Sequence, residues 1–491
     1  MKYIGLFSFA LLCACSGNPI VPEDVSNDRL SSDSSDIVTP VDRPDPVRDV
    51  LTEDSDMDAT SVADADSGQV SEAGPMDDVP TLSQMCIMRR GPVGSGVGPG
   101  ADRCMGVTPP TQGMGATWCS LGQAIPGLVE PAGFCVRRFA TGAIMPRTMA
   151  IAPNGDLFVS SPSQGTGAGD TGGRGEIIVM SDDDRDGTAE QRTFLSGLAS
   201  VHAIAFSGDR NWLYFTTSDG VHRTPYRPGL RAEMAAMREV VSGAGDATTP
   251  AIARGRWTHG LAVSVNNRVL LTNGEYSSCM FTPTGGIVPG AGAIYEVGSH
   301  ALTRVAAGFR NPMYARCHFC RDLCIAAELG EDNRSGAIEK LVIVDRERWH
   351  GYPCCDQNNP DPMLNMGACA CVDREQTAIR LGDTPFGLDW EKGAWPEPYR
   401  NSLFVALHGT FYQGATYAGA GVVFLRTDPA TGRPTAGPPI RFLEATNLNA
   451  PNMISLSRPS DVVFSNDGRL FIGDDHGHAV YWMAPTNFRM P

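Results

Sequence analysis

MAIAPNGDLFVSS (149–161) is an apolar run, a turn built on Asn154 and Gly155, and a second apolar run. The unit returns as HAIAFSGDRNWLYFTT (202–217), HGLAVSVNNRVLLTNG (259–274) and DVVFSNDGRLFIGDD (461–475). Weaker copies are GFRNPMYARCHFCRDLCIAAELG (308–330) and TPFGLDWEKGAWPEPYRNSLFVALHG (384–409). Apolar runs joined by Asn, Asp and Gly spell hairpins, because these residues tolerate the backbone of a tight reversal. One such hairpin cannot bury its own faces, whereas copies stacked around an axis can. The repeat therefore predicts an all-β fold, a six-bladed β-propeller over 139–491 with long insertions in the middle blades. A short helix is expected only at AEMAAMREVV (232–241), within an insertion. Loops of many blades meet at one opening of such a fold, so a site there draws on residues far apart in the chain.

Ahead of the repeats lie three further parts. MKYIGLFSFALLCACSG (1–17) has a positive start at Lys2 and an apolar run, Tyr3 to Leu12, too short to span a membrane and stay. It reads as an export signal. Leu12-Cys13-Ala14-Cys15 resembles a bacterial lipobox, which implies a signal of 1–15 and a lipid on Cys15; a plain secretory signal is the alternative. Both place the mature protein outside the cytoplasm, and the lipidated form in the bacterial cell envelope, periplasmic or on the outer surface. Residues 16–84 form an acidic linker. Within it, 18–84 hold 17 acidic residues and 3 arginines, which is most of the net charge of −16. So much charge with so little apolar surface predicts a disordered tether. The rest is near neutral and has no basic stripe, so nucleic acid is excluded as a partner.

Residues 85–138 are a cysteine-rich N-terminal segment. Of the 14 cysteines, 12 remain once Cys13 and Cys15 are set aside. Cys86, Cys104, Cys119 and Cys135 form one group, expected to pair among themselves. Cys279, Cys317, Cys320, Cys324, Cys354, Cys355, Cys369 and Cys371 form the other. An even count in an exported chain points to disulfides. Zinc is the rival, since Cys317-x-x-Cys320 and Cys369-x-Cys371 have the spacing of thiolate pairs. Cys317 to Arg321 is no haem-attachment site, because Arg321 stands where a His is needed.

The fourth repeat is more specific. Gly308-Phe309-Arg310-Asn311-Pro312 precedes an apolar strand, then Glu328-Leu329-Gly330-Glu331-Asp332, Glu339 and Trp349-His350-Gly351-Tyr352-Pro353. This block resembles the soluble glucose and sorbosone dehydrogenase family, which carries pyrroloquinoline quinone on a six-bladed propeller. Thr384 to Leu388, Leu403 to Gly409 and Arg458 to Asp475 are similar to the family's last two blades. The resemblance implies an extracytoplasmic quinoprotein dehydrogenase that oxidises a sugar or related aldose, uses calcium, and passes electrons to an acceptor the sequence does not name. Its membrane contact would be the lipid anchor alone.

The resemblance also implies roles. His259 matches the base that takes the hydroxyl proton; the plainer reading is a core or capping histidine. An acidic residue often precedes that base, and here Thr258 does. Arg310 and Asn311 match the cofactor-contacting pair, Arg310 also stabilising charge as hydride arrives, against a purely structural turn. Gly330 and Glu331 match the loop whose carbonyls bind calcium. Arg458 matches one cofactor-carboxylate arginine, Ser460 replaces a second, and His408 lies where a cationic or polar contact is usual. Separately, Ser181 to Gly187 carries D-x-D-x-D-G spacing, read either as a calcium loop or as an acidic hairpin turn. Two other classes stay open. One is a non-catalytic propeller serving as a binding or cell-envelope interaction module. The other is a calcium-dependent hydrolase, for which no convergent Glu, Asn and Asp set is visible.

Overall fold

The computed structural model describes residues 103–490 apart from 105–108, 111–112, 143, 163–173, 219, 234–238, 244–257, 275–291, 299–300, 331–337, 345–347, 353–354, 357–358, 361–375, 381, 410–418 and 446–455. The signal with Cys15, the tether, Cys86, Cys279, Glu331, Cys354, Cys369 and Cys371 lie outside the described residues, as does the side chain of Cys355.

Six sheets carry the fold, antiparallel except where Arg348–Trp349 adds in parallel beside Ala301–Ala307. Their innermost strands are Met149–Ile151, Ile204–Phe206, Leu261–Val263, Asn311–Cys317, Pro385–Trp390 and Pro459–Phe464, which begin blades 1 to 6 in that order. Each touches the innermost strands on both sides, and the sixth returns to the first, so the ring is closed. The turns behave as their residues require: Gly155 takes a φ of 97° and Asn267 one of 62°. Second strands such as Leu157–Ser161 and Leu403–Leu407 are buried at every position, because blades pack on both faces. Blade 6 takes its fourth strand from the other end of the chain. Phe134–Thr141 pairs antiparallel with Ala479–Pro485, and Gln123–Ala124 adds beyond it. That strand spans the expected junction at 138/139.

Two side chains cross the channel from blade 4. The Tyr314 hydroxyl donates to the Arg147 carbonyl at 2.8 Å, in front of blade 1. Arg316 Nη2 reaches Asp461 of blade 6 at 2.8 and 3.0 Å and the Met149 carbonyl of blade 1 at 3.2 Å. Asp461 also accepts the amides of Met149 (2.7 Å) and Val462 (2.8 Å), so its buried carboxylate is solvated by protein. Blade 5 passes close by: a Cβ on Gly387 would lie 1.7 Å from Asp461 Oδ1, which is why no side chain fits there.

Two expectations are corrected. The helix over 232–241 does not extend to its end: Glu239–Gly243 is the outer strand of blade 2. Pairing to Gly220–Pro225 satisfies its backbone, and Glu239 sits opposite Arg223 with an ion pair of 2.7 Å. The first cysteine group does not pair only within itself. Cys119 bonds Cys135 as expected, but Cys104 bonds Cys320, and Cys317 bonds Cys324. The reason is position: the Arg103 amide donates to the Cys320 carbonyl at 2.7 Å, which seats this segment on blade 4. Cys317 and Cys320 thus have separate disulfide partners, not a shared zinc ion.

Removing Asp461 leaves Arg316 without its counter-ion and two amides without acceptors. Asp461→Ala is expected to destabilise by about 3–5 kcal/mol, read from the urea midpoint. Gly387→Ala is expected to lower the midpoint too. Wild-type midpoints for both variants would show that the cross-channel pair is not structural.

Candidate active site at the channel mouth

Cross-strand pairs set equivalent positions around the ring. Ile151, Val263, Cys317, Trp390 and Phe464 each face the first residue of their second strand, and Phe206 faces Leu213, the second residue of Trp212–Thr217. Four residues upstream of these stand Arg147, His202, His259, Met313, Phe386 and Ser460. One level further out, at the mouth where inner strands begin and second strands end, are Arg310, Asn311, Arg458, His408 and Asp475.

Aromatic rings line part of the wall across these two levels. His202 meets Tyr314 edge-on with centroids 5.1 Å apart, Tyr314 stacks on Phe386 at 5.0 Å, and Phe386 stacks on His408 at 4.1 Å. The Arg147 guanidinium lies 5.3 Å over the Phe386 ring. A polar chain then runs across three blades. Arg147 is ion-paired with Asp475. Asp475 Oδ1 is 2.8 Å from His408 Nε2, and Arg458 Nη2 is 2.7 Å from His408 Nδ1. A guanidinium only donates, so Nδ1 must accept and the ring proton sits on Nε2, donated to Asp475. His408 is therefore neutral. Burial, and then the charge of Arg458, bring its pKa down to about 3. Burial alone would raise the Asp475 carboxyl, but the His408 ring and the Arg147 guanidinium hold it below the usual range.

His259 is 1 % exposed. Its carbonyl accepts from Thr216 Oγ1 at 2.8 Å and from His202 Nδ1 at 3.1 Å. Its own Nδ1 is buried with no hydrogen-bond partner among the described residues. Burial lowers its pKa to about 4, weakly opposed by the Thr272 backbone. At neutral pH it is an uncharged imidazole with unused bonding capacity. Asn311 is alike: Nδ2 lies 3.9 Å from Met313 Sδ, while Oδ1 is buried and unpartnered among the described residues. Arg310 is buried, its amide donating to Glu328 Oε1 and its Nη1 to the Gly330 carbonyl, both at 2.7 Å. Glu328 in turn pairs with Lys340 at 3.1 Å.

Of the residues singled out in sequence, His408 and Arg458 touch, Arg310 and Gly330 touch, and His259 stands one level inside them. Ser460 Oγ donates to the Pro146 carbonyl, directly before Arg147. Arg147, His202 and Asp475 were not singled out. Arg147 and His202 hold the same repeat position as His259, in PRTMAI, SVHAIA and WTHGLA, and that register was their only signal. The acidic segment is a turn between the third and fourth strands of blade 1, at the end away from the mouth. Carboxylate oxygens of Asp182, Asp184 and Asp186 lie within 4.8 Å of one another, and Asp182 is paired with Arg469 at 3.0 Å.

No family model matches the chain, and no curated protein does. Solved structures do match in fold. A Trichoderma reesei protein of carbohydrate-active enzyme family AA12 is 16 % identical, with TM-score 0.58, over 74 % of this chain and 99 % of its own. The PQQ domain of pyranose dehydrogenase from Coprinopsis cinerea is 17 % identical, with TM-score 0.53, over 74 % and 99 %. A glucose dehydrogenase is 12 % identical, with TM-score 0.50, over 71 % and 98 %. At such identities the likeness is one of fold.

Buried neutral histidines make a pH prediction. His259 is held at about 4, and His318 and His408 at about 3, each from 6.5. Between those values the unfolded chain binds more protons, so stability is full above pH 6.5 and is lost as pH falls toward 3. Thermal midpoints measured across this range should drop on acidification, and less so in His259→Gln. A flat profile would mean these rings are not held neutral.

Proposed function

We propose that the chain is an extracytoplasmic, lipid-anchored quinoprotein dehydrogenase that oxidises a sugar or related aldose with pyrroloquinoline quinone. The observation that carries this reading is the pair of buried polar atoms, His259 Nδ1 and Asn311 Oδ1, with no hydrogen-bond partner among the described residues. Buried groups of this kind are normally satisfied, so a ligand is the natural complement. The fold likeness to a PQQ domain supports the cofactor class, and that to a glucose dehydrogenase supports the sugar substrate.

The residue types suit the quinone. Arg310 and Arg458 would hold its carboxylates in exchange for their present partners, and Asn311 would add a polar contact. When bound, the quinone supplies a two-electron acceptor. His259 would then serve as the base: neutral, buried and with Nδ1 unpartnered among the described residues, it would take the proton of the hydroxyl being oxidised. Arg310 offsets the negative charge that develops as the substrate is oxidised. For calcium the described residues supply one carbonyl, that of Gly330, which Arg310 already shares. Glu331 would have to add a second.

A second reading is a non-catalytic propeller that binds a ligand or partner at the same mouth. What favours it is that Arg458 is engaged by His408 and Arg147 by Asp475. Reconstitution separates the two. Purified protein given quinone and calcium should show a shifted quinone spectrum and reduce a dye with a panel of aldoses. His259→Ala should lose about 100-fold or more in rate with binding kept, whereas Arg310→Ala should weaken both. Failure to bind quinone would remove the enzyme reading; binding with His259→Ala fully active would remove only the choice of base.

A further inference from the structure

The channel has a second chamber at the opposite end. Below the level of Thr148, Ala203, Gly260, Tyr314 and Gly387 lies a cavity of about 270 Å³, walled by the innermost strands of all six blades and the turns that follow them. Tyr314 and Arg316 of the cross-channel bracing line it, whereas Arg147, His259, His408 and Arg458 do not.

Its walls are cationic. Arg316, Lys392 and Arg210 line it. Arg316 uses Nη2 for Asp461, while its Nε is buried with no hydrogen-bond partner among the described residues. Among the described residues the Lys392 ammonium donates to two neutral oxygens, the Phe464 carbonyl at 2.6 Å and Asn466 Oδ1 at 3.0 Å. Arg210 is exposed at the rim. Against these stand Asp461, taken by Arg316, and Asp389, whose oxygens accept the amides of Phe464 (2.8 Å) and Trp390 (2.9 Å). Nearby Asp467 is held by Arg469 at 2.8 Å. Three cations thus face two carboxylates in a recess. A small anion there would balance the charge and give the Arg316 Nε–H an acceptor. The volume lies just below the usual range for ligand pockets.

We propose that this far chamber binds a small oxyanion, a carboxylate or a phosphate, on Arg316, Lys392 and Arg210. The site is independent of the quinone reading. The test is calorimetric titration of the full chain with inorganic phosphate and, separately, with acetate, against chloride at matched ionic strength. One saturable site is expected for at least one probe, and which probe saturates tells phosphate from carboxylate. Lys392→Gln and Arg210→Gln, both at solvent-reaching positions, should each weaken it, Lys392→Gln by about tenfold. Arg458→Gln, at the other mouth, should leave it unchanged. Heats no larger than chloride for both probes would overturn the proposal. So would wild-type affinity in Lys392→Gln, or loss of binding only in Arg458→Gln.

Discussion

An ion pair across the axis organises this molecule. Arg316 reaches from blade 4 to Asp461 in blade 6 and to the backbone of blade 1. Taking two charges out of water is costly, and Coulomb attraction repays it only when the remaining lone pairs are satisfied. Here they are, because Asp461 also accepts two amides. The pair in turn dictates that blade 5 pass without a side chain at Gly387. Three blades are thereby fixed about one carboxylate, and the level above it, with Tyr314, Phe386 and His408 in stacked sequence, is built on that floor.

The mouth is governed by burial more than by charge count. Histidines that water would keep half protonated near pH 6.5 are held neutral here, His408 by burial and then by the Arg458 guanidinium, against the opposing pull of Asp475, and His259 by burial. A neutral ring in a dry recess is a weaker base than one in water. It is also always in its accepting form at physiological pH, which suits a proton acceptor more than a charged anchor.

Much of the fold was legible because hairpin turns declare themselves. Asn154-Gly155 and Asp467-Gly468 have the residues a reversal needs, and the apolar runs beside them are the strands that became the inner pairs of blades 1 and 6. The outer strands were not, since Glu239–Gly243 becomes a strand through its partner and not through its own composition. For the site, motif residues near turns, such as Arg310 and Arg458, were readable. Asp475 and Arg147 were not, because their roles exist only once blades 6 and 1 are adjacent. Disulfide pairing failed for the same reason: Cys104 and Cys320 are 216 residues apart, and only the fold makes them neighbours.

The ring is sealed by a strand from the N-terminal side of the chain, which is also the side from which a tether would pull. Tension applied there does not reach that seam first. It meets Cys104, bolted to blade 4 through Cys320, and then Cys119, bolted to Cys135 inside the sealing strand itself. Mechanical load therefore enters the wheel through covalent bonds, and the hydrogen bonds between Phe134–Thr141 and Ala479–Pro485 are shielded from being unzipped.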